Sequence, residues 1–415
     1  MSGVVVVAGG GPAALWVALE LVHAGRPVEL VCSTPPERGT RFSTGLLTGS
    51  TPPGDVARWT PVLESARAVA VTLDRLGVPF ERTPEGRPRL VDAPGRVHAG
   101  PHTGLHLQRA LASQVRAAQS AGQLVLHDHH ALLEVTVVDG GVRGVMVADA
   151  WRGTVARIHA DALCLAEERT EALHDGATAG PGDAVGALHT ALQAGAAWED
   201  PDLARWHGCA PVGASWWPAW EGGGHMAAMG SVGGLVTDPQ GRCMGVTGLW
   251  AAGGCALAVR EVDALPGAAT TWDLGCARLV GRALAAAQGG SAAAHSDDLN
   301  GWPARLDALG DGAGPETVAA VQQQVDALCA RVLGRARSGE ALAAASEELR
   351  TLADRAAAAA VGGRGSPGVM AAERLRRRVA LLGPVMTAAR HRAEGEGRAR
   401  VKAVDGAFQL EWERA

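Results

Sequence analysis

Gly9, Gly11 and Ala14 stand in a G-x-G-x-x-A spacing directly behind the valine run Val4–Val7. That spacing suits the holding of a pyrophosphate. Gly9 permits a tight turn, Gly11 lets the backbone approach a phosphate, and Ala14 lets the following helix pack close to the strand. The start of such a helix offers free N–H groups and a partial positive charge to an anion. In a typical NAD or FAD site an acidic residue ends the second strand and holds the ribose. Here Cys32 and Ser33 stand in that place, and Glu29 lies mid-strand. The residues by themselves therefore read as a dinucleotide site but leave FAD and NAD both open, with a ligand-free relic turn as the lesser alternative. His127-Asp128-His129-His130 has alternate-residue spacing that a metal could use, but no fourth ligand is apparent, so it reads as a solvated strand end. Arg374, Arg376, Arg377 and Arg378 read as a solvated basic helix face or a docking patch for a partner.

The elements around these residues are legible as an α/β pattern. Residues 3–8, 12–24 and 27–32 predict strand, helix and strand, a βαβ unit of about 30 residues. Helical periods cover 63–77, 104–120 and 183–197. Residues 123–150 predict a strand meander containing the hairpin signal Asp139-Gly140, and 155–166 a further strand. Residues 208–232 are rich in Gly and Trp and have no clear period. Residues 233–253 predict a short hairpin and then a strand. By composition 286–300 is a linker. Beyond it, 315–337, 339–361 and 367–393 predict three helices, with Pro384 kinking the last. Residues 400–412 predict a hairpin turning at Asp405-Gly406.

The chain has 415 residues, 47% of them hydrophobic and 20% charged, which suits a globular protein of two domains. Lys+Arg 38 against Asp+Glu 43 leaves a net charge of -5, so there is no electrostatic case for nucleic acid. No apolar run is long enough for a membrane span, and no basic leader opens the chain. Seven cysteines without CxxC spacing read as buried thiols in a reducing compartment. The expectation is a cytoplasmic protein.

Several segments in a fixed order carry a resemblance. Leu76-Gly77-Val78-Pro79-Phe80-Glu81 precedes Arg82-Thr83-Pro84-Glu85-Gly86, and Arg96-Val97-His98-Ala99-Gly100 precedes Thr103-Gly104. A DGGVRGV hairpin follows. Gly182-Asp183 then opens a helix ending in Ala194-Gly195-Ala196, with Trp206-His207 beyond it. Gly233-Gly234-Leu235-Val236-Thr237-Asp238 leads to Gly248-Leu249-Trp250-Ala251-Ala252-Gly253. This series resembles L-aspartate oxidase and the flavoprotein subunits of fumarate reductase and succinate dehydrogenase over residues 1–285. The C-terminal helices are similar to that family's helical domain, with Arg392-x-Glu394 where the family has R-x-E-S-R-G.

The resemblance implies a Rossmann-like FAD-binding domain over 1–285, a capping domain reduced to 208–232, a linker at 286–300 and a C-terminal helical domain over 301–415. It implies FAD, with Gly9, Gly11, Ala14, Ser33, Thr44, Gly45, Gly253 and Gly254 as cofactor-binding residues. Phe42-Ser43-Thr44-Gly45 lacks the histidine that binds FAD covalently in the respiratory subunits, so the attachment expected is non-covalent, as in aspartate oxidase. His207 falls on the family's Q-F-H-P-T histidine. His225 stands four residues before Met229, which matches the H-Y-T-M-G-G histidine. These two are the catalytic candidates. The family's H-G-A-N-R is Pro266-Gly267-Ala268-Ala269-Thr270 here, its A-T-G-G is Ala166-Glu167-Glu168-Arg169, and its G-E pair is Gly253-Gly254. The function implied is oxidation of L-aspartate to iminoaspartate in NAD biosynthesis. The alternative is a non-catalytic or divergent flavoprotein. The partners expected are a small dicarboxylate or amino-acid substrate, and either a protein partner or a second copy of the chain.

Overall fold

The computed structural model describes residues 3–38, 43, 45–48, 56–91, 95–100, 102–167, 173–174, 184–212, 215–218, 225–231, 233–256, 267–287, 298–334, 337–363, 367–395 and 397–414. β1 (Val5–Ala8) is buried on both faces, as strands in a covered parallel sheet are. α1 (Pro12–His23) opens on Pro12, whose missing N–H would have had no intrahelical acceptor there. It is buried along most of its length. β2 (Val28–Cys32) pairs parallel with β1. β3 (Leu46–Leu47), α2 (Val56–Arg75), β4 (Arg96–Val97) and α3 (Thr103–Ser120) follow, and β3 pairs antiparallel with β4.

The meander expected over 123–150 divides between two sheets. β5 (Val125–Asp128) joins β2 in the parallel sheet, and His129, at φ 59°, turns the chain away from it. β6 (His130–Val138) and β7 (Gly141–Asp149) form the expected hairpin, with Asp139 and Gly140 at φ 51° and 71°. Two successive left-handed residues give the twist that a two-residue hairpin requires. The single strand expected over 155–166 also divides. β8 (Thr154–His159) completes an antiparallel sheet with β7, and β9 (Ala162–Leu165) returns to β1. The two pieces differ in exposure: β8 alternates, whereas β9 is buried throughout.

α4 (Ala184–Gln193) and β10 (Trp198–Glu199) lead into β11 (Ala204–Val212), β12 (Ser215–Pro218) and β13 (His225–Ser231). These last three form a separate antiparallel sheet in the order β12-β11-β13. The described residues of the segment read as a cap remnant without periodicity, 208–212, 215–218 and 225–231, thus lie in a small antiparallel sheet. β14 (Gly234–Leu235) and β15 (Leu249–Ala251) follow, and β15 completes the parallel sheet in the order β15-β9-β1-β2-β5. α5 (Ala268–Ala286) packs on α1 and α2.

The C-terminal part has one helix more than the sequence predicts: α6 (Trp302–Gly310) precedes α7 (Val318–Val332), α8 (Gly339–Ala358) and α9 (Pro367–Glu394). α9 runs on through Pro384. β16 (Gly397–Val404) and β17 (Ala407–Arg414) form the expected hairpin, with Asp405 and Gly406 at φ 49° and 80°. β16 also pairs with β10, so the end of the chain completes a sheet begun some 200 residues earlier, in the order β14-β10-β16-β17.

The four arginines of α9 do not form a solvated face. Arg377 and Arg378 are each 4% exposed. Arg377 donates to the carbonyls of Leu132 (3.0 Å) and Leu133 (2.7 Å) and to the Glu373 carboxylate one turn back (2.9 Å). The spacing that puts Arg377 beneath the helix also puts Glu373 there, and a buried cation needs such a partner. No helix among the described residues is long and apolar enough to cross a membrane.

Candidate cofactor and substrate site

All five strands of the parallel sheet end on one edge. At β1 the order reverses, with β2 on one side and β9 on the other. Connections leaving in opposite directions open a crevice at that edge, where ligands bind in doubly wound sheets. Gly9 lies in it at φ 138°. A Cβ on Gly9 would sit 2.4 Å from the Ala166 carbonyl oxygen, so no other residue fits between β1 and the end of β9. Gly11 is the extended N-cap of α1 and supplies no side-chain cap. The first N–H groups of α1 therefore have no acceptor within the helix. Ala14 is fully buried against the sheet.

Gly253 opens the short 3-10 turn Gly253–Cys255 at the end of β15, with φ 61°. Its Cβ would come within 2.6 Å of the Ala13 Cβ and 3.6 Å of the Asp273 Cα. The Gly253-Gly254 turn thus touches the first turn of α1 and the early part of α5. Gly254 is buried beside it. Ser33 follows β2 at the same edge and is half-buried. Glu29 is committed elsewhere: its carboxylate lies 2.7 Å from His127 Nε2 across β2 and β5. That contact gives His127 a structural partner, and His130 Nδ1 lies 2.7 Å from the Asp128 carbonyl. Among the described residues no cluster has a metal-ligating arrangement.

Cys32 donates its thiol to the Gly9 carbonyl at 3.2 Å. Burial, reinforced by the Asp128 and Glu167 carboxylates, pushes that thiol far up, so it remains neutral and keeps its proton for this bond. Gln108, fully buried on α3, donates its amide to the carbonyls of Gly10 (2.7 Å) and Pro36. It ties the glycine turn to the loop after β2. Sequence reading passed over Gln108. The one available signal was a polar residue on the buried face of α3, next to Leu107 and in line with Leu111 and Val115.

A second group forms where α5 begins. Gly45 has φ 110°, and its Cβ would lie 2.2 Å from the Val97 carbonyl. Ser43 Oγ and Thr270 Oγ1 are 2.7 Å apart. Thr271 Oγ1 accepts from Leu47 N at 2.7 Å and donates to the Gly267 carbonyl at 2.8 Å. Thr270, at the position matching the family's arginine, is thus held by the Gly45 loop. Thr44 lies outside the described residues. At the end of β9, Glu167 is a buried carboxylate in a position where the resembling family has a small residue.

His207 lies on β11 and His225 on β13. The register pairs His207 with Ala227 and Cys209 with His225, which puts the two histidine positions two rungs apart on one ladder. The register shifts between Arg205 and Trp206, which pair with Gly230 and Ala228, so Met229 is the extra residue of a bulge.

No protein-family profile and no curated protein sequence matches the chain. Solved structures do match over its whole length. The fold is that of the fumarate reductase and succinate dehydrogenase flavoprotein subunits. Escherichia coli quinol fumarate reductase FrdA superposes with a TM-score of 0.82 at 16% identity, covering 100% of this chain and 97% of that one. Mycobacterium smegmatis Sdh1 gives 0.83 at 16% identity, covering 100% and 94%. Adenylylsulfate reductase from Archaeoglobus fulgidus gives 0.71 at 13% identity, covering 100% and 96%. The shared flavoprotein-subunit fold includes the C-terminal helices and is not confined to the glycine turn.

Proposed function

We propose that this chain is an FAD-dependent oxidoreductase that holds its cofactor non-covalently and acts on a small dicarboxylate or amino acid, L-aspartate being the first to test. One observation carries the reading: the glycine turn, the uncapped start of α1 and the Gly253-Gly254 turn meet at the reversal point of the parallel sheet. A pyrophosphate fits there because unsatisfied N–H groups need an acceptor and no side chain of Gly9 or Gly11 intrudes. Ser33 is suited to a ribose hydroxyl. The Gly45 loop and the start of α5 are suited to the far end of the dinucleotide, with Gly254 beside them. The lack of a histidine in residues 42–45, where the resembling respiratory subunits attach FAD, supports non-covalent attachment.

FAD, when bound, supplies an acceptor or donor of hydride. The chain must supply a group that takes or gives a proton beside the reacting carbon. His207 is assigned that role, with His225 on the neighbouring strand as its partner in holding the substrate. The arginine position of the resembling family is Thr270, a neutral hydroxyl already bonded to Ser43. Losing a charged partner for a substrate carboxylate costs about 2–5 kcal/mol. Aspartate turnover is therefore expected to be on the order of 30- to several-thousandfold below that of an arginine-bearing enzyme.

The test uses flavin as its own reporter. Purified protein should carry or take up FAD, and acid precipitation should leave all of it in the supernatant. Flavin in the pellet would refute non-covalent attachment, and protein that cannot be reconstituted would refute the cofactor. Anaerobic mixing with L-aspartate, and separately with succinate, should bleach the flavin slowly. His207→Ala should abolish the bleaching while flavin content stays constant. Unchanged bleaching in that variant would remove His207 from the mechanism.

A further inference from the structure

β17 stands at the end of the order β14-β10-β16-β17, and among the described residues no strand lies on its far side. Its eight residues contain no proline and pair with β16 without a shift in register. The direction of its free backbone groups follows from the far side of β16. Asp200 N donates to the Ala399 carbonyl at 2.8 Å, so the backbone of Ala399 faces β10. Antiparallel pairs alternate between bonded and non-bonded rungs. Ala399 is opposite Trp412, Val401 opposite Leu410 and Ala403 opposite Phe408. These three are the non-bonded rungs, and Trp412, Leu410 and Phe408 direct their N–H and C=O groups outward. Among the described residues none bonds to those groups. Such an edge is a template for a further strand.

The sequence of β17 says which strand fits. Phe408, Leu410 and Trp412 are half-buried on the face toward the helices, with Phe408 edge-on to His189 and Trp412 stacked on His391. Ala407, Gln409, Glu411 and Glu413 are exposed on the other face. An antiparallel copy of β17, centred on Leu410, uses all three outward residues. It sets Leu410 opposite Leu410 of the second copy and Phe408 opposite its Trp412. Aromatic pairs directly across a ladder are stabilising, and opposed like charges are not. On the exposed face Gln409 meets Glu411 of the second copy and Ala407 meets Glu413, so no two charges of one sign are directly opposed. A slide of one permitted step in one direction opposes Glu411 to Glu411. A slide in the other sets Trp412 against Gly406 in the turn. One register therefore satisfies backbone, aromatic residues and charge together, and the strand is complementary to itself.

We propose that two copies of this chain associate through β17, joining their four-stranded sheets into one continuous eight-stranded sheet about a twofold axis at Leu410. This association goes beyond the oxidoreductase reading and does not depend on it. Sedimentation equilibrium of the full-length protein over a range of concentrations tests it. The mass should rise from one chain to two and go no higher, since a twofold contact closes on itself. Leu410→Pro should abolish the dimer, because it removes an outward N–H and leaves the ladder to β16 intact. Gln409 gives a signed test, since it faces Lys402 within the chain and Glu411 across the edge. Gln409→Glu should weaken the dimer about three- to tenfold and Gln409→Lys should strengthen it, as each contact occurs twice. Thermal midpoint and flavin content serve as controls, and the two Gln409 variants keep the test decisive should Leu410→Pro fail to fold. A single-chain mass at every concentration up to about 1 mM would overturn the proposal. So would an undiminished dimer in folded Leu410→Pro, or the same effect from Gln409→Glu and Gln409→Lys.

Discussion

A methyl group added at Gly9 would lie 2.4 Å from a backbone oxygen, in a conformation that L side chains rarely adopt. Neither neighbour can yield: Ala166 N donates to Ala8 O, and Gly9 N donates to Val31 O, both as continuations of the sheet. Gly9→Ala is therefore expected to cost about 1–3 kcal/mol from backbone conformation alone, with the clash adding to it. Thermal unfolding and flavin uptake should both report the loss; a variant with wild-type midpoint and flavin content would contradict the crowding at this turn. Residues of this kind are readable from sequence because the backbone, not a distant partner, dictates their identity. Gln108 shows the opposite case. Its value lies in meeting Gly10 and Pro36, residues 98 and 72 positions away, and helical periodicity carries no trace of either. Arg377 misled for the same reason, since the β6 carbonyls that draw it inward lie more than 240 residues earlier.

Elements join through buried charge as well as through apolar packing. Arg392, near the end of α9, donates to Asp202 at 2.8 and 3.0 Å, to Asp200 at 3.0 Å and to the Gly397 carbonyl at 2.8 Å. Arg337 reaches the same Asp202 at 3.3 Å. Both aspartates are almost fully buried, and they stand between β10 and β11, at the root of the sheet that carries His207 and His225. Arg392→Ala would leave two buried carboxylates short of a cation, at a cost of about 3–5 kcal/mol. Denaturant unfolding should show it, and a change below about 1 kcal/mol would mean that Arg337 alone suffices. The R-x-E resemblance drew attention to Arg392 in the sequence, but its partners lie some 190 positions away and become visible only in the fold. α4 adds a pH dependence. Burial, with the Arg377 charge nearby, pushes His189 down to about 3, and His174 is pushed down to about 3 by burial with Arg337 nearby. The unfolded chain protonates these rings near the ordinary value of 6.5, and the folded chain does not. Stability is therefore complete above pH 6.5 and falls as pH drops toward 3, by about 1.4 kcal/mol per pH unit for each such group. His189→Leu should flatten the decline in thermal midpoint between pH 6.5 and 4; an unchanged slope would remove His189 as a contributor.

At the scale of the whole molecule, the order of elements was legible in the sequence and the pairing between distant ones was not. The βαβ opening, both Asp-Gly hairpins and the three long C-terminal helices follow from local residue patterns. The division of 123–150 and 155–166 between two sheets does not, because an apolar strand has no label for its neighbour. The compositional break at 286–300 suggested a helical domain separable from the flavin body, and the contacts across that break bear on what separation would mean. α9 packs on α4, and Arg377 bonds to the carbonyls that follow Ala131 on β6. β16 pairs with β10 at Trp198 and Glu199, and Arg392 holds Asp200 and Asp202. Each of these joins a residue before the linker to one after it. Cutting the chain within 286–300 removes one covalent connection and leaves all of them in place. Protein nicked there should run as two fragments under denaturing conditions and as one particle on gel filtration, with flavin content unchanged. Residues 1–300 expressed alone should fold poorly, because β10 loses β16, one of its two strand partners, and the two buried aspartates lose Arg337 and Arg392 together. Soluble 1–300 protein with a sharp thermal transition and bound flavin would show instead that the first 300 residues are complete without the helices.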